Sequence, residues 1–184
     1  ILELMGRNAG WIALGAGIAS GADSILIPEI PFDLLPVINR FEERAETGSN
    51  FNIMSVAEGS HPKGGKQQYK DDAGLYRGRL GGTGQTIAEE LRIGSGIDSR
   101  CTVIVHMQRG GTPTPYDRWL ATLYGAGATR LAMSGSYGRM VNLSGREIGS
   151  ISLEDAVAQT PKLVNPDGDL VTAARGLGIV FGDE

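Results

Sequence analysis

Short apolar runs alternate along this chain with stretches whose apolar residues recur every three to four positions. Residues 1–4, 24–28, 52–56 and 102–105 are brief and rich in Ile, Leu, Val and Met, as expected of strands buried in a sheet. Between the first two lies a predicted helix over 11–20, whose small residues allow close packing. Asp33 is placed to cap a second helix that carries Leu34, Val37, Ile38 and Phe41 on one face, a core-facing stripe. A third helix is predicted over 86–93 and ended by Gly94-Ser95-Gly96. Strand, helix, strand, helix, strand, helix, strand is the order of an α/β fold, a mainly parallel sheet with helices on both faces.

The second half of the chain reads differently. A helix is predicted over 116–126, with Asp117 in its first turn and a break at Gly125-Ala126-Gly127 before it continues to Met133. Residues 139–143 and 147–151 flank Ser144-Gly145 as a hairpin. Ser152 with Asp155 forms a capping pattern, and a short helix at 170–174 precedes a last apolar run at 179–181. The polar stretch 61–84, with Lys63, Lys66, Lys70, Asp71 and Asp72, reads as a surface loop. Within it Gly81-Gly82-Thr83-Gly84 follows no predicted strand, fails the context of a nucleotide loop and reads as a flexible turn. Two parts are expected: a lobe over 1–110, and a helical and hairpin segment over 111–184 that completes it or packs on another lobe. Ile1 already stands inside a strand, so the chain reads as a piece of a longer protein.

Composition narrows the function classes. Hydrophobic residues are 41% of 184, enough for a real core. A net charge of -4 and no basic block argue against a nucleic-acid partner or an anionic membrane surface. No apolar run approaches the ~18–20 residues that cross a bilayer, and no signal peptide opens the chain. One cysteine and two histidines leave no intrachain disulfide and no Cys/His metal cluster, which points to a reducing, cytoplasmic setting. The 28 glycines follow no fixed period, excluding collagen and solenoid repeats.

In a parallel sheet ligands gather at the carboxyl ends of the strands, which selects three places. Met5-Gly6-Arg7 follows the first strand; a glycine there can present backbone amides to an anion, and Arg7 adds charge. Glu58 follows the third, and a carboxylate can accept hydrogen bonds from sugar hydroxyls. His106-Met107-Gln108-Arg109-Gly110-Gly111 follows the fourth; Arg offers a planar fork that matches a phosphate, and the glycines admit a ligand close to backbone. On residue types alone the His106 run reads equally as a polar turn, while Met5-Gly6-Arg7 reads first as a plain glycine turn with a solvated arginine and Glu58 first as an exposed carboxylate. His61 is assigned no role.

The run His106-Met107-Gln108-Arg109-Gly110-Gly111-Thr112-Pro113 with Tyr116-Asp117-Arg118, joined by Met5-Gly6-Arg7-Asn8-Ala9-Gly10, Ile27-Pro28-Glu29 and Ala57-Glu58-Gly59, resembles the C-terminal half of the 6-phosphofructokinases. The resemblance runs in order from residue 1 to about residue 145. It implies that Met5, Gly6 and Arg7 sit against fructose 6-phosphate, that Glu58 bonds its hydroxyls, and that His106 and Arg109 hold its phosphate, with Met107 and Gln108 in the same substrate-binding run. Arg7 would also offset charge on the transferred phosphoryl group. Arg100 would reach the sugar phosphate of a neighbouring subunit in a homodimer or homotetramer. The donor, ATP with Mg²⁺ or else pyrophosphate, and the catalytic base belong in the family to an N-terminal lobe that matches nothing in this sequence. His106, where Tyr is the alternative, leans toward ATP. Effector-regulated bacterial members carry cations where this chain has Thr47-Gly48-Ser49-Asn50, although Asp23 keeps the acidic group expected near the effector's metal. The long 61–84 loop suggests a divergent clade.

Overall fold

The computed structural model describes residues 1–67, 69–70 and 79–184. They form two compact units, Ile1–Arg109 with Leu163–Glu184, and Gly110–Lys162. The part of the 61–84 expectation that falls on residues 68 and 71–78 lies outside the described residues.

The first unit is built on strands β1 (Leu2–Leu4), β2 (Ser24–Leu26) and β3 (Met54–Ala57), with a two-stranded antiparallel pair β4 (Tyr69–Lys70) and β5 (Arg79–Leu80), and strand β6 (Thr102–Val103). The main sheet runs β2-β3-β1-β6 and every pairing in it is parallel. Leu2 stands opposite both Ser55 and Thr102, so the carboxyl ends of three strands finish side by side. Val180 adds a parallel bridge on the outer side of β2 at Ser24. β6 is shorter than predicted and both of its residues are exposed, as befits an edge.

Helices α1 (Trp11–Ser20), α2 (Leu34–Glu46) and α3 (Thr83–Ser95) follow β1, β2 and β5, and α6 (Asp169–Gly176) comes after the second unit. The alternating strand residues divide the core in two. Leu4, Ile25 and Ala57 point into a cluster with Ala13 and Leu14 of α1 and Val171 and Ala174 of α6. Leu26, Val56 and Met54 point into another with Val37 and Phe41 of α2 and Ile87 and Leu91 of α3. Helices therefore cover both faces, and the α/β expectation holds. Asp33 caps α2 as expected, its Oδ1 accepting from the Leu35 amide at 2.9 Å.

Within the 111–184 segment, residues 163–184 complete the first unit, one of the two arrangements expected of that segment: Val164, Val171, Ala174, Ile179 and Phe181 are buried in its core. Gly81–Gly84 is not a flexible turn: α3 begins at Thr83, and Gly82 and Gly84 donate their amides to the Glu3 carboxylate at 3.2 and 2.9 Å. Glu3 is fully buried, and an acceptor in that place satisfies orphan helix donors and meets the positive end of the helix dipole. The charge also acts on its neighbour. Burial pushes the Cys101 thiol above its usual pKa, and Glu3 raises it further.

In the second unit, α4 (Pro115–Met133) opens with a capping box: Thr114 Oγ1 accepts from the Asp117 amide, and Asp117 accepts from the Thr114 amide and hydroxyl. Those hydrogen bonds, the hydroxyl's first, hold the Asp117 carboxyl below its ordinary range. The predicted break at Gly125–Gly127 does not occur. Gly127 is buried against Val141 and Ile148, where a Cβ would lie 3.1 Å from each, so it serves helix-to-hairpin packing. Strands β7 (Arg139–Ser144) and β8 (Glu147–Ser152) pair in register from Arg139↔Ser152 to Ser144↔Glu147, and α5 (Leu153–Ala158) starts at the Ser152 cap.

Because Glu3 is the shared acceptor for the start of α3, Glu3→Ala leaves the buried Gly84 amide and the half-buried Gly82 amide unpaired, at roughly 1–3 kcal/mol. Urea unfolding should show that loss, with Glu3→Gln, which keeps one carbonyl, closer to the original. An unmoved midpoint in Glu3→Ala would refute the assignment.

Candidate functional site

The three places selected from the sequence meet at the carboxyl edge of the β3-β1-β6 strands, tied by backbone. The Glu58 amide donates to Leu4 O at 2.9 Å and the Gly59 amide to Gly6 O at 3.0 Å. The Met5 amide donates to Gln108 Oε1 at 2.8 Å. Gln108 lies in the 3-10 turn Met107–Arg109 that follows β6, so one side-chain amide joins the first loop to the third. Thr83 Oγ1, at the start of α3, donates to Glu58 O at 3.0 Å and fixes the second loop from the far side.

Two glycines let these loops touch. Gly6 has φ +151°, and a Cβ there would stand 2.9 Å from the Ala57 Cβ; a Cβ on Gly59 would stand 2.0 Å from Arg7 O. Any larger residue at 59 forces the first and second loops apart.

From this floor Arg7, His106, Met107 and Arg109 are exposed, and Met5, Gly6, Glu58 and Gln108 are half-buried. An edge that offers two guanidinium groups, an imidazole and a carboxylate suits a small polar anion that also carries hydroxyls. At the helix start that follows Met5-Gly6-Arg7, the Gly10 amide before α1 donates to both carboxylate oxygens of Glu29 at 3.1 Å. Glu29 Oε1 accepts from Val164 as well, at 2.8 Å.

Arg100 is not part of this cluster. It precedes β6, at the opposite, amino edge of the sheet, where its carbonyl accepts from the Ile1 amine at 2.8 Å. It lines a cavity of about 330 Å³ with Ile1, Phe51, Asn52, Ile97 and Ser99. Asp23 is buried and engaged: Oδ1 lies 2.8 Å from Arg44 Nε, and Oδ2 accepts from the Ile53 amide at 2.8 Å. Arg44 Nη2 also donates to Ser49 Oγ at 2.9 Å. A cation thus adjoins residues 47–50 after all, supplied by α2 rather than by that stretch. Sequence reasoning missed Glu3 and Arg44, and gave Glu29 no role. The one advance signal was Glu3 itself, a charge inside an apolar strand.

The fold is that of an α/β domain with a parallel sheet, whose carboxyl edge carries Arg7, Glu58, His106 and Arg109. Residues 1–132 match the family described as Phosphofructokinase, and the chain belongs to that family. A curated relative from Chloroflexus aggregans, named ATP-dependent 6-phosphofructokinase, is 50% identical over 184 residues, all of this chain and 50% of its own length. The chain spans about half the length of the curated relatives it matches. Among solved structures, phosphofructokinase from Saccharomyces cerevisiae superposes with a TM-score of 0.70 at 28% identity, over 96% of this chain and 22% of that one. A pyrophosphate-dependent phosphofructokinase from Marinobacter aquaeolei superposes at 0.72 with 22% identity, over 96% and 46%, a likeness of fold.

Gly59→Ala should destabilise the first unit by about 1–3 kcal/mol, the range for forcing a group into packed space. Gly94→Ala, on an exposed helix position with nothing within 4 Å, should be neutral or gain up to about 1 kcal/mol. Parallel thermal melts check the contrast, and equal midpoints would show that the Arg7–Gly59 contact is not tight.

Proposed function

We propose that this chain is the sugar-phosphate-binding half of a 6-phosphofructokinase, an enzyme that moves the terminal phosphoryl group of ATP to the 1-hydroxyl of fructose 6-phosphate. The observation that carries the reading is the joining of the Arg7, Glu58 and Arg109 loops at one sheet edge by direct hydrogen bonds. His106 and Arg109 hold the 6-phosphate, Arg by its planar fork. Glu58 accepts from sugar hydroxyls, and Met5, Gly6, Met107 and Gln108 shape the floor. Arg7 offsets charge that builds on the transferred phosphoryl group.

ATP is preferred to pyrophosphate because curated relatives at 42–50% identity are named ATP-dependent. Among the described residues no three His, Cys, Asp or Glu side chains converge to hold a metal. Mg²⁺ carried with ATP takes most of its ligands from phosphates and water, and no step is routed through it. We assign the nucleotide, its Mg²⁺ and the base for the 1-hydroxyl to sequence outside this chain. A binding module without catalysis is disfavoured, since Arg7, Glu58 and Arg109 are all retained. Arg100, exposed at the edge away from its own chain's site, suits the shared site of a homodimer or homotetramer. Among the described residues no helix is long and apolar enough to cross a membrane, and a single cysteine suits the cytoplasm.

In the complete enzyme Arg109→Ala should raise the KM for fructose 6-phosphate by ~10–100-fold, the worth of one charge-assisted hydrogen bond of ~1.5–3 kcal/mol. An unchanged KM in steady-state assays would sink the phosphate assignment. The 184-residue chain alone should bind the sugar phosphate but not turn it over, because general-base help worth ~10²–10⁴ and the positioning of the donor are lost. A coupled assay with ATP or pyrophosphate checks this; turnover within about tenfold of a kinase-like ~1–100 s⁻¹ would place the catalytic groups inside this chain.

A further inference from the structure

Gln67 stands outside every motif that pointed to the site, in the stretch read from sequence as a surface loop. Its side-chain Nε2 donates to Arg7 O at 2.8 Å and to Gly59 O at 3.1 Å. These are the two carbonyls on either side of the seam where Gly59 meets Arg7. The amide orientation is set by chemistry, since only the nitrogen can face two carbonyl oxygens.

The chain leading to Gln67 is anchored at each step. Ser60 Oγ donates to Leu26 O at 2.9 Å, inside the core. The Phe32 amide donates to His61 O at 3.1 Å, and the Lys63 amide to Phe32 O at 2.8 Å. The Gly65 amide then closes a turn onto Pro62 O at 2.9 Å, with Gly64 at φ +72°. Residues 60–65 are thus pinned to the end of β2 and to the segment after it, and the turn sends Gln67 back over the first two loops.

We propose that Gln67 is a positioning residue of the sugar-phosphate site, clasping the Arg7 and Gly59 backbones so that the Arg7 and Glu58 side chains are presented together. The inference rests on the reading of this edge as the fructose 6-phosphate site, and it deepens that reading. Neither Gln108 nor Thr83 makes the same connection. Gln108 joins the first loop to the third, and Thr83 holds the second loop from α3. Gln67 bridges the first loop to the second through a side chain. Arg7 and Glu58 belong to those two loops, so loosening the clasp acts on their alignment. A pre-ordered site binds more tightly because less freedom is lost on binding.

The test uses the complete enzyme that carries this sequence, with Gln67→Leu, which keeps the size and removes the donor, and Gln67→Glu, which turns a carboxylate toward two carbonyl oxygens. Two neutral hydrogen bonds correspond to roughly a fivefold to hundredfold change. Gln67→Leu should raise the KM for fructose 6-phosphate by about tenfold, and Gln67→Glu by at least as much. The KM for the phosphoryl donor should stay within about twofold. A general structural role would instead disturb the KM for both substrates together, and that result overturns the proposal. So does a sugar KM within about twofold of the original in both Gln67 variants while Arg109→Ala raises it. If Arg109→Ala leaves the sugar KM unchanged, the reading of the edge fails and this inference falls with it.

Discussion

Strand β1 hydrogen-bonds in parallel to both β3 and β6, and the candidate site depends on that shared register. The amide of Glu58 reaches Leu4 and the amide of Ile104 reaches Glu3, so the chain segments that leave the three strands emerge level with one another. A register shift of one residue would turn each side chain to the opposite face. It would move Leu4 out of one core cluster and Glu3 away from the start of α3. The same three residues of β1 therefore set the sheet, the core and the height at which the loops leave it.

Two carboxylates carry much of the internal order around that register. Glu3 holds the first amides of α3, and Glu29 holds the amide before α1 together with Val164. Each places a negative charge at the positive end of a helix, where it is favoured. Each also brings together segments far apart in sequence. One consequence is local: the Gly10 amide, engaged by Glu29, is already satisfied within the fold.

The two units differ in how they are held. The first has two apolar clusters on opposite faces of its sheet, and the returning segment around α6 completes one of them. In the second, Gly127 is the buried residue of α4, and a capping box, a hairpin and a second capped helix supply the order. Such local hydrogen bonds define the elements, but on their own they bury little apolar surface.

The sequence by itself determined the elements whose signals are local. Apolar runs marked the strands, the Asp33, Asp117 and Ser152 regions marked helix starts, and Ser144-Gly145 marked the hairpin turn. It also selected Met5-Gly6-Arg7, Glu58 and His106–Arg109, because residues at strand ends follow from strand order alone in a parallel sheet. Only the tertiary structure decided which long-range partner each polar group takes. Glu3 looked like one more strand residue until it met Gly82 and Gly84. Gly127 looked like a helix breaker until Val141 and Ile148 packed against it. Arg100 separated from the other site residues because the two ends of β6 lie on opposite edges of the sheet. Gln67 was invisible for the same reason that it matters: a side-chain amide has no sequence period. Its partners, at Arg7 and Gly59, are chosen by the path of the chain through space.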